Sequence, residues 1–283
     1  MIYISLTTIP HRLCNGDVFE QNLNSLLYQK TDKEYYVILS IPNVYVKTNI
    51  EYVIPDELVE IAENNPRLII NTDTPDYGPI TKTIGALKYA TNSNDIIICV
   101  SDHYVYHEDM LECHIKKLNE YPYHAICFKG EQGFDKRRWI DENGVKKYVI
   151  RPWPLFCPTD KDRYLMIPYH EHSVSYKREY FKDDFNNEIW GLSSSEDLIM
   201  GYYLKLHETW AICSKWGGET DFRPNFDRII FPIVKKLSYS LEDNLYKKYY
   251  GSFLSRAPEI IRKLLYNFNS PEGKATFIYT EKI

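Results

Sequence analysis

The chain has 283 residues, of which 44% are hydrophobic and 26% are charged, and its formal net charge is −5. This is the composition of an ordinary globular protein, and nothing in it suggests disorder. The acidic balance, without a basic block, argues against nucleic acid as a partner, because phosphate backbones are bound by clustered Lys and Arg. No apolar run approaches the roughly 20 residues of a membrane span, and no signal peptide is evident, so we expect a cytoplasmic protein.

Strand and helix patterns alternate through the first half of the chain. Apolar runs predict strands at 2–6, 35–41, 67–71, 96–100 and 125–128, and helical spacing predicts helices at 17–29, 56–63, 80–90 and 107–120. Strands that alternate with helices form a parallel sheet with right-handed crossovers. The sequence therefore predicts an α/β fold with a mostly parallel central sheet flanked by helices.

The second half of the chain has a different pattern. Asn143-Gly144 predicts the turn of a hairpin between 138 and 150, and the prolines of 151–169 predict a long loop. Acidic residues open a predicted helix at 194–206, and two amphipathic helices follow near 241–249 and 257–268. We expect one domain at 1–215, with a C-terminal loop and helical extension at 216–283 packed on it.

Two groups of polar residues are suited to a nucleotide. Thr7, Pro10 and Arg12 directly follow the first predicted strand, where an Arg and backbone amides suit a base and a phosphate. Asp76 begins a loop that runs into the helix containing Lys82, and a helix N-terminus favours anions. The alternatives remain open: Arg12 and Lys82 as solvated surface charges, and Asp76 as a turn-forming residue.

Two further groups contain acids. Ser101, Asp102 and His103 follow the most apolar predicted strand, and an Asp beside a His can hold a divalent metal. The alternative for this group is an ordinary strand end with Asp as a helix cap. Glu196 and Asp197 open a helix, where acids also occur simply because they favour the helix dipole. All four groups lie past a strand or at a helix start, so they can converge on one edge of the sheet.

These motifs together carry a family resemblance. The stretches 7–12, 76–82, 96–106 and 195–198 resemble the TTIPxR, DxGPxTK, vDDDxxY and ED motifs of small viral and bacterial glycosyltransferases with the GT-A fold. The resemblance covers about residues 1–212 and implies a nucleotide-sugar donor, usually a UDP-sugar, and a divalent cation, usually Mn²⁺ (or Mg²⁺). A compositional bias toward Tyr, Ile, Asn and Lys is compatible with an AT-rich viral genome.

The resemblance also implies roles for the nucleotide-binding motifs. Thr7, Pro10 and Arg12 would flank the nucleotide, Asp76 would contact the uracil or ribose, and Lys82 would contact the diphosphate. These five positions match the first two family motifs residue by residue.

The metal motif departs from the family. Where the family has three acids, this chain has Ser101, Asp102 and His103. Ser101 would then contact the ribose, Asp102 the sugar or the metal, and His103 would bind the metal through an imidazole nitrogen, which Mn²⁺ accepts. His172 is a candidate third ligand, and on a strand it would share a face with His170.

The function that follows is metal-dependent transfer of a sugar from a nucleotide sugar to a glycan or other hydroxyl acceptor. Asp197 matches the catalytic base of inverting enzymes, with Glu196 as its neighbour or an acceptor contact, so inversion is favoured. One alternative is a catalytically degenerate protein that only binds nucleotide sugars. A second is a glycoside hydrolase that uses Glu196 and Asp197, although adjacent helical residues diverge by about 100°.

Overall fold

Thirteen strands and six helices are present in the computed structural model, which describes residues 1–13, 16–140, 146–155, 163–165, 167–182, 185 and 196–214. The strands are β1 (Ile2–Thr7), β2 (Tyr35–Ser40), β3 (Val44–Tyr45), β4 (Ile50–Glu51), β5 (Leu68–Asn71), β6 (Ile96–Cys99), β7 (Ala125–Cys127), β8 (Gly130–Ile140), β9 (Lys146–Leu155), β10 (Arg163–Leu165), β11 (Ile167–Pro168), β12 (Val174–Lys177) and β13 (Ala211–Cys213). The helices are α1 (Pro10–Leu13), α2 (Gly16–Leu27), α3 (Asp56–Asn64), α4 (Thr81–Leu87), α5 (Met110–Glu120) and α6 (Glu196–Leu206).

Eight of the strands form the central sheet, in the order β5-β2-β1-β6-β12-β7-β13-β10. Neighbours are parallel from β5 to β6 and between β7 and β13, whereas β12 is antiparallel to both of its neighbours. The predicted mostly parallel sheet is therefore confirmed. Antiparallel neighbours need no crossover between opposite ends of the sheet, and a short 3₁₀ turn, His170–His172, leads directly into β12.

Helices cover both faces of this sheet, which explains why its central strands are continuous apolar runs. Alternate residues of a strand point to opposite faces. In β6 and just beyond it, Ile98 and Val100 pack with α2, α3 and α5, whereas Ile97 and Cys99 pack with α4 and α6. Because neither face meets water, exposed polar groups follow the strand ends, and a polar residue within a strand, such as Ser5, is buried and hydrogen-bonded.

Helix α4 approaches the sheet unusually closely, and this brings its first turn against the strand ends. A Cβ atom at Gly85 would lie 2.1 Å from Ser40 Oγ, so a side chain at this position would clash with β2. The hydroxyl of Ser5 in β1 donates a hydrogen bond of 2.7 Å to the Lys82 carbonyl. Lys82 is consequently buried on the sheet rather than exposed at the helix start.

The predicted hairpin is confirmed by the antiparallel pairing of β8 with β9, although its turn at 142–144 lies outside the described residues. The prediction of a loop is wrong for 151–155, which continue β9. Pro152 and Pro154 are tolerated there because β9 is an edge strand of its three-stranded sheet.

Helix α6 confirms the helix predicted at 194–206, while the serines before it lie outside the described residues. The predicted extension at 216–283 and the domain boundary before it also lie outside them. Within the described part of the chain, no helix combines the length and the apolar character that crossing a membrane requires.

Candidate active site

The carboxyl ends of β1 and β6 bring two of the sequence motifs together. These strands are adjacent and parallel, so the loops that follow them leave the sheet at the same edge. From the first loop, the Thr8 hydroxyl donates a 2.7 Å hydrogen bond to Asp102 Oδ2, and Arg12 Nη1 lies 2.5 Å from Asp102 Oδ1. Residues that are 90 or more positions apart in the chain thus form one polar cluster.

Arg12 is the centre of this cluster. Its Nη1 atom also lies 3.3 Å from His103 Nδ1, which in turn is 2.8 Å from Ser101 Oγ and 3.1 Å from Asp102 Oδ1. Asp102 is only 4% exposed. Burial alone would raise the Asp102 pKa, but the Arg12 guanidinium, with help from His103 and Thr8, holds it well below its ordinary value.

The predicted metal site has its two donor atoms in place but does not fit a resident ion. Asp102 Oδ1 and His103 Nδ1 both contact Arg12, so the position that a bound cation would take is held by a guanidinium. Across the described residues, no group of three His, Cys, Asp or Glu side chains is arranged to hold a metal. The arrangement therefore does not support the predicted Mn²⁺ or Mg²⁺ site at Asp102 and His103.

His172, the candidate third ligand, has another partner. The segment 170–172 forms a 3₁₀ turn and not a strand, so the condition under which His170 and His172 would share a strand face is not met. His172 Nε2 lies 2.9 Å from Lys129 Nζ. Burial, together with the Lys129 ammonium and the nearby His103 ring, lowers the His172 pKa to about 3, so this imidazole is neutral.

Asp197 belongs to a second polar cluster, which the sequence did not predict. The His170 backbone N–H donates a 2.9 Å hydrogen bond to Asp197 Oδ1, and His170 Nδ1 lies 2.6 Å from the same oxygen. On the other side of the ring, His170 Nε2 lies 2.6 Å from Tyr176 Oη. His170 is buried, whereas the Asp197 side chain is 31% exposed, so the imidazole orients a carboxylate that remains accessible.

The electrostatics keep the Asp197 carboxylate ionised. Burial would raise its pKa, but the hydrogen bonds and electrostatic interaction with His170, and more weakly the charge of Lys82, lower it below its ordinary value. Asp197 also acts on His172, whose pKa it raises slightly against the effect of His103. His172 therefore lies within electrostatic reach of both clusters.

Glu196 and Lys82 form a buried ion pair. Lys82 Nζ lies 2.5 Å from Glu196 Oε2, and both side chains are less than 10% exposed. The Thr83 hydroxyl donates a 2.8 Å hydrogen bond to Glu196 Oε1. Burial lowers the Lys82 pKa, but Glu196, together with the weaker effects of Cys99 and Asp197, more than offsets this, so the pKa is raised and the ammonium stays charged. The Lys82 ammonium is thus directed at Glu196 and away from solvent.

Two other residues that were predicted to contact the nucleotide, Asp76 and Thr7, form hydrogen bonds with the protein backbone. Asp76 accepts hydrogen bonds of 2.8 Å from the backbone N–H groups of Val46 and Gly78, the second of which forms an Asx turn. The Thr7 hydroxyl donates to the Ser40 carbonyl, while Pro10 begins α1 and so directs Arg12 toward Asp102. The structure places Asp76 as the turn-forming residue that the sequence left as an alternative; its contact with a base or ribose stays a prediction.

Sequence reasoning missed Thr8, the role of His170 and that of Tyr176. Thr8 lies inside a recognised motif, and its side chain points inward at the start of the loop. His170 is identified only by its contact with Asp197, 27 residues away. No local pattern in the sequence predicts this contact.

No protein-family model and no curated protein matches the chain. Similar solved structures include S. aureus TarS 1–349, with 14% identity and a TM-score of 0.46 over 93% of this chain and 82% of that one. GalNAc-T7 with UDP, GalNAc and Mn²⁺ has 12% identity and a TM-score of 0.49, over 75% of this chain and 41% of that one. The 2-C-methyl-D-erythritol 4-phosphate cytidylyltransferase of Francisella tularensis has 9% identity and a TM-score of 0.38, over 80% and 94%. Similarity at this level does not establish an activity.

Proposed function

We propose that the protein is a GT-A-type glycosyltransferase that transfers a sugar from a UDP-sugar to a hydroxyl acceptor. The observation that supports this most is the meeting of the motif residues at one sheet edge. Arg12 and Asp102 form one cluster there, Asp197, held by His170, forms a second, and His172 lies within electrostatic reach of both. A cation and an oriented carboxylate are the two charges that sugar transfer from a diphosphate requires.

In this proposal Asp197 is the general base of an inverting reaction. The acceptor oxygen forms a bond to the anomeric carbon as the bond between that carbon and the diphosphate oxygen breaks. The acceptor proton passes to the Asp197 carboxylate, and the bonding electrons leave with UDP. Asp197 suits this step because it is ionised, partly exposed and fixed by two hydrogen bonds from His170.

The developing charge on UDP needs a positive group close to the leaving oxygen. Arg12 is suited to this, because its side chain is 28% exposed at the strand edge. Lys82 is less suited than its motif suggests, because its charge is directed at the buried Glu196. We therefore assign the Lys82–Glu196 ion pair a structural role, in which it holds α4 against α6.

A screen of nucleotides tests the donor assignment. We expect UDP and UDP-sugars to raise the melting temperature by several degrees, because a ligand at about 100 times its Kd stabilises the folded state by about 2.7 kcal/mol. Differential scanning fluorimetry with UDP, GDP, CDP, AMP and their sugar conjugates measures this. If none of them shifts the transition, the proposal is wrong.

One observation favours the second candidate, a protein that binds nucleotide sugars without turning them over. Asp102, the acid retained from the family's metal motif, is neutralised by Arg12. Release of UDP from a UDP-sugar distinguishes the candidates, since a binding protein gives a thermal shift but no UDP. The hydrolase alternative loses its acid pair, because Glu196 is buried and ion-paired with Lys82.

If His170 positions the base, its replacement should affect turnover more than binding. We expect His170→Asn to lower kcat about 10- to 100-fold with little change in the KM for the donor, because a hydrogen bond to a charged group contributes about 1.5–3 kcal/mol. Steady-state kinetics of UDP release measure both constants. His107→Asn, a half-buried histidine on another loop, serves as the control and should retain kcat. Equal losses in the two variants, or a change in KM alone, would exclude the positioning role.

A further inference from the structure

We propose that Arg12, and not a divalent ion, supplies the positive charge at the Asp102–His103 position, so that the protein binds UDP without metal. This inference rests on the proposed function, since it concerns the same UDP site. It differs from the metal dependence that the motif resemblance implies. Three features of the cluster support it.

The first feature is that the Arg12 guanidinium contacts both atoms that would coordinate an ion. Divalent ions such as Mg²⁺ and Ca²⁺ bind oxygen ligands at about 2.0–2.6 Å. Arg12 Nη1 lies 2.5 Å from Asp102 Oδ1 and 3.3 Å from His103 Nδ1, the two atoms that would coordinate an ion. An ion bonded to both donors would overlap the guanidinium, and two cations would share one buried carboxylate. Metal binding therefore requires Arg12 to leave.

The second feature is the shortage of further ligands. Asp102 Oδ2 already accepts a hydrogen bond from the Thr8 hydroxyl, and His172 Nε2 is held by Lys129. Among the residues that the structure describes, the Asp and His atoms left to coordinate an ion beside Arg12 therefore amount to one carboxylate oxygen and one imidazole nitrogen. Two protein ligands hold an ion weakly unless the ligand supplies the remaining oxygens.

The third feature is that Arg12 retains unused donors. In the described part of the chain, the hydrogen bonds of its guanidinium all run from Nη1, and its Nε is buried with no partner. A guanidinium has five N–H donors and binds phosphate in a bidentate manner. With Nη1 fixed by Asp102 and Nε enclosed by the protein, the guanidinium is pre-oriented to donate its Nη2 N–H groups to a diphosphate oxygen.

Isothermal titration calorimetry with UDP, in EDTA and in Mn²⁺, tests the inference on the full chain. For the unchanged protein we expect the same Kd within about twofold in both buffers. Arg12→Ala should lose 10-fold or more in UDP affinity in EDTA, because a charge-assisted contact contributes about 1.5–3 kcal/mol. Mn²⁺ should then restore part of this affinity, because the substitution frees Asp102 and His103. Arg67→Ala, whose guanidinium stacks on Tyr35, is the matched control and should behave as the unchanged protein.

The outcomes separate this inference from the proposed function. UDP binding that requires Mn²⁺ in the unchanged protein would overturn the inference and leave the glycosyltransferase proposal standing. An Arg12→Ala variant that binds UDP as tightly in EDTA as the unchanged protein would also overturn it. Failure of the unchanged protein to bind UDP in either buffer would overturn both.

Discussion

Replacing Asp197 by Asn is expected to lower kcat for sugar transfer about 10²- to 10⁴-fold while leaving UDP affinity unchanged. The substitution keeps the size of the side chain but removes the negative charge that accepts the proton. His170 still contacts the new side chain through its backbone N–H, so the local fold should persist. Steady-state UDP release and calorimetric UDP binding, measured on the same preparation, separate the two effects.

The control for this variant is Asp32→Asn, which alters an exposed carboxylate paired only weakly with Lys33. It should retain both kcat and UDP affinity. If His170 acts through Asp197, the double variant Asp197→Asn/His170→Asn should be no slower than Asp197→Asn alone. An Asp197→Asn variant that keeps kcat within about threefold would show that another group takes the proton.

Replacing Lys82 by Met is expected to lower the free energy of unfolding by about 3–5 kcal/mol, because it leaves the Glu196 carboxylate buried without a counter-charge. Both side chains are less than 10% exposed, and their charged atoms lie 2.5 Å apart. Urea denaturation followed by circular dichroism measures the change. The double variant Lys82→Met/Glu196→Gln should recover part of the loss, because it removes both charges.

Lys117→Met provides a matched control, since it breaks an ion pair of 2.6 Å with Glu120 that is more exposed. This change should cost less than about 1 kcal/mol. If Lys82→Met is as mild as the control but lowers UDP affinity, Lys82 contacts the diphosphate as its sequence motif predicts, and its assignment to a buried structural pair is wrong.

Most of the fold could be predicted because its central strands are buried, and buried strands are identifiable in the sequence as apolar runs. The runs at 2–6 and 96–100 are apolar apart from the buried Ser5, as expected of strands covered on both faces, and polar residues follow both. The direction of β12 could not be predicted, because it depends on whether the chain re-enters the sheet at the amino ends or at the carboxyl ends of the neighbouring strands. The prolines of β9 indicated a loop, because proline lacks the N–H that a central strand needs. The sequence does not show that β9 is an edge strand, where proline is tolerated.

The positions of the polar groups could be predicted, but their partners could not. Asp102 and His103 follow the apolar run at 96–100, which is easily identified as a strand. The contact of Asp102 with Arg12, in contrast, joins positions 90 residues apart. Lys82 lies at a helix start, where a lysine suits a phosphate. Only the close packing of α4 on the sheet shows that this charge is buried and directed at Glu196. The sequence shows which residues carry a charge, whereas only the folded structure shows which charges pair.

The central claim is transfer from a nucleotide sugar, and the release of UDP tests it most directly. The protein is incubated with a panel of UDP-sugars and hydroxyl acceptors in EDTA and in Mn²⁺, and free UDP is quantified over time. We predict UDP release by the unchanged protein with at least one donor, and its loss in Asp197→Asn. Absence of UDP release with every donor, together with no thermal shift by any nucleotide, would contradict the account.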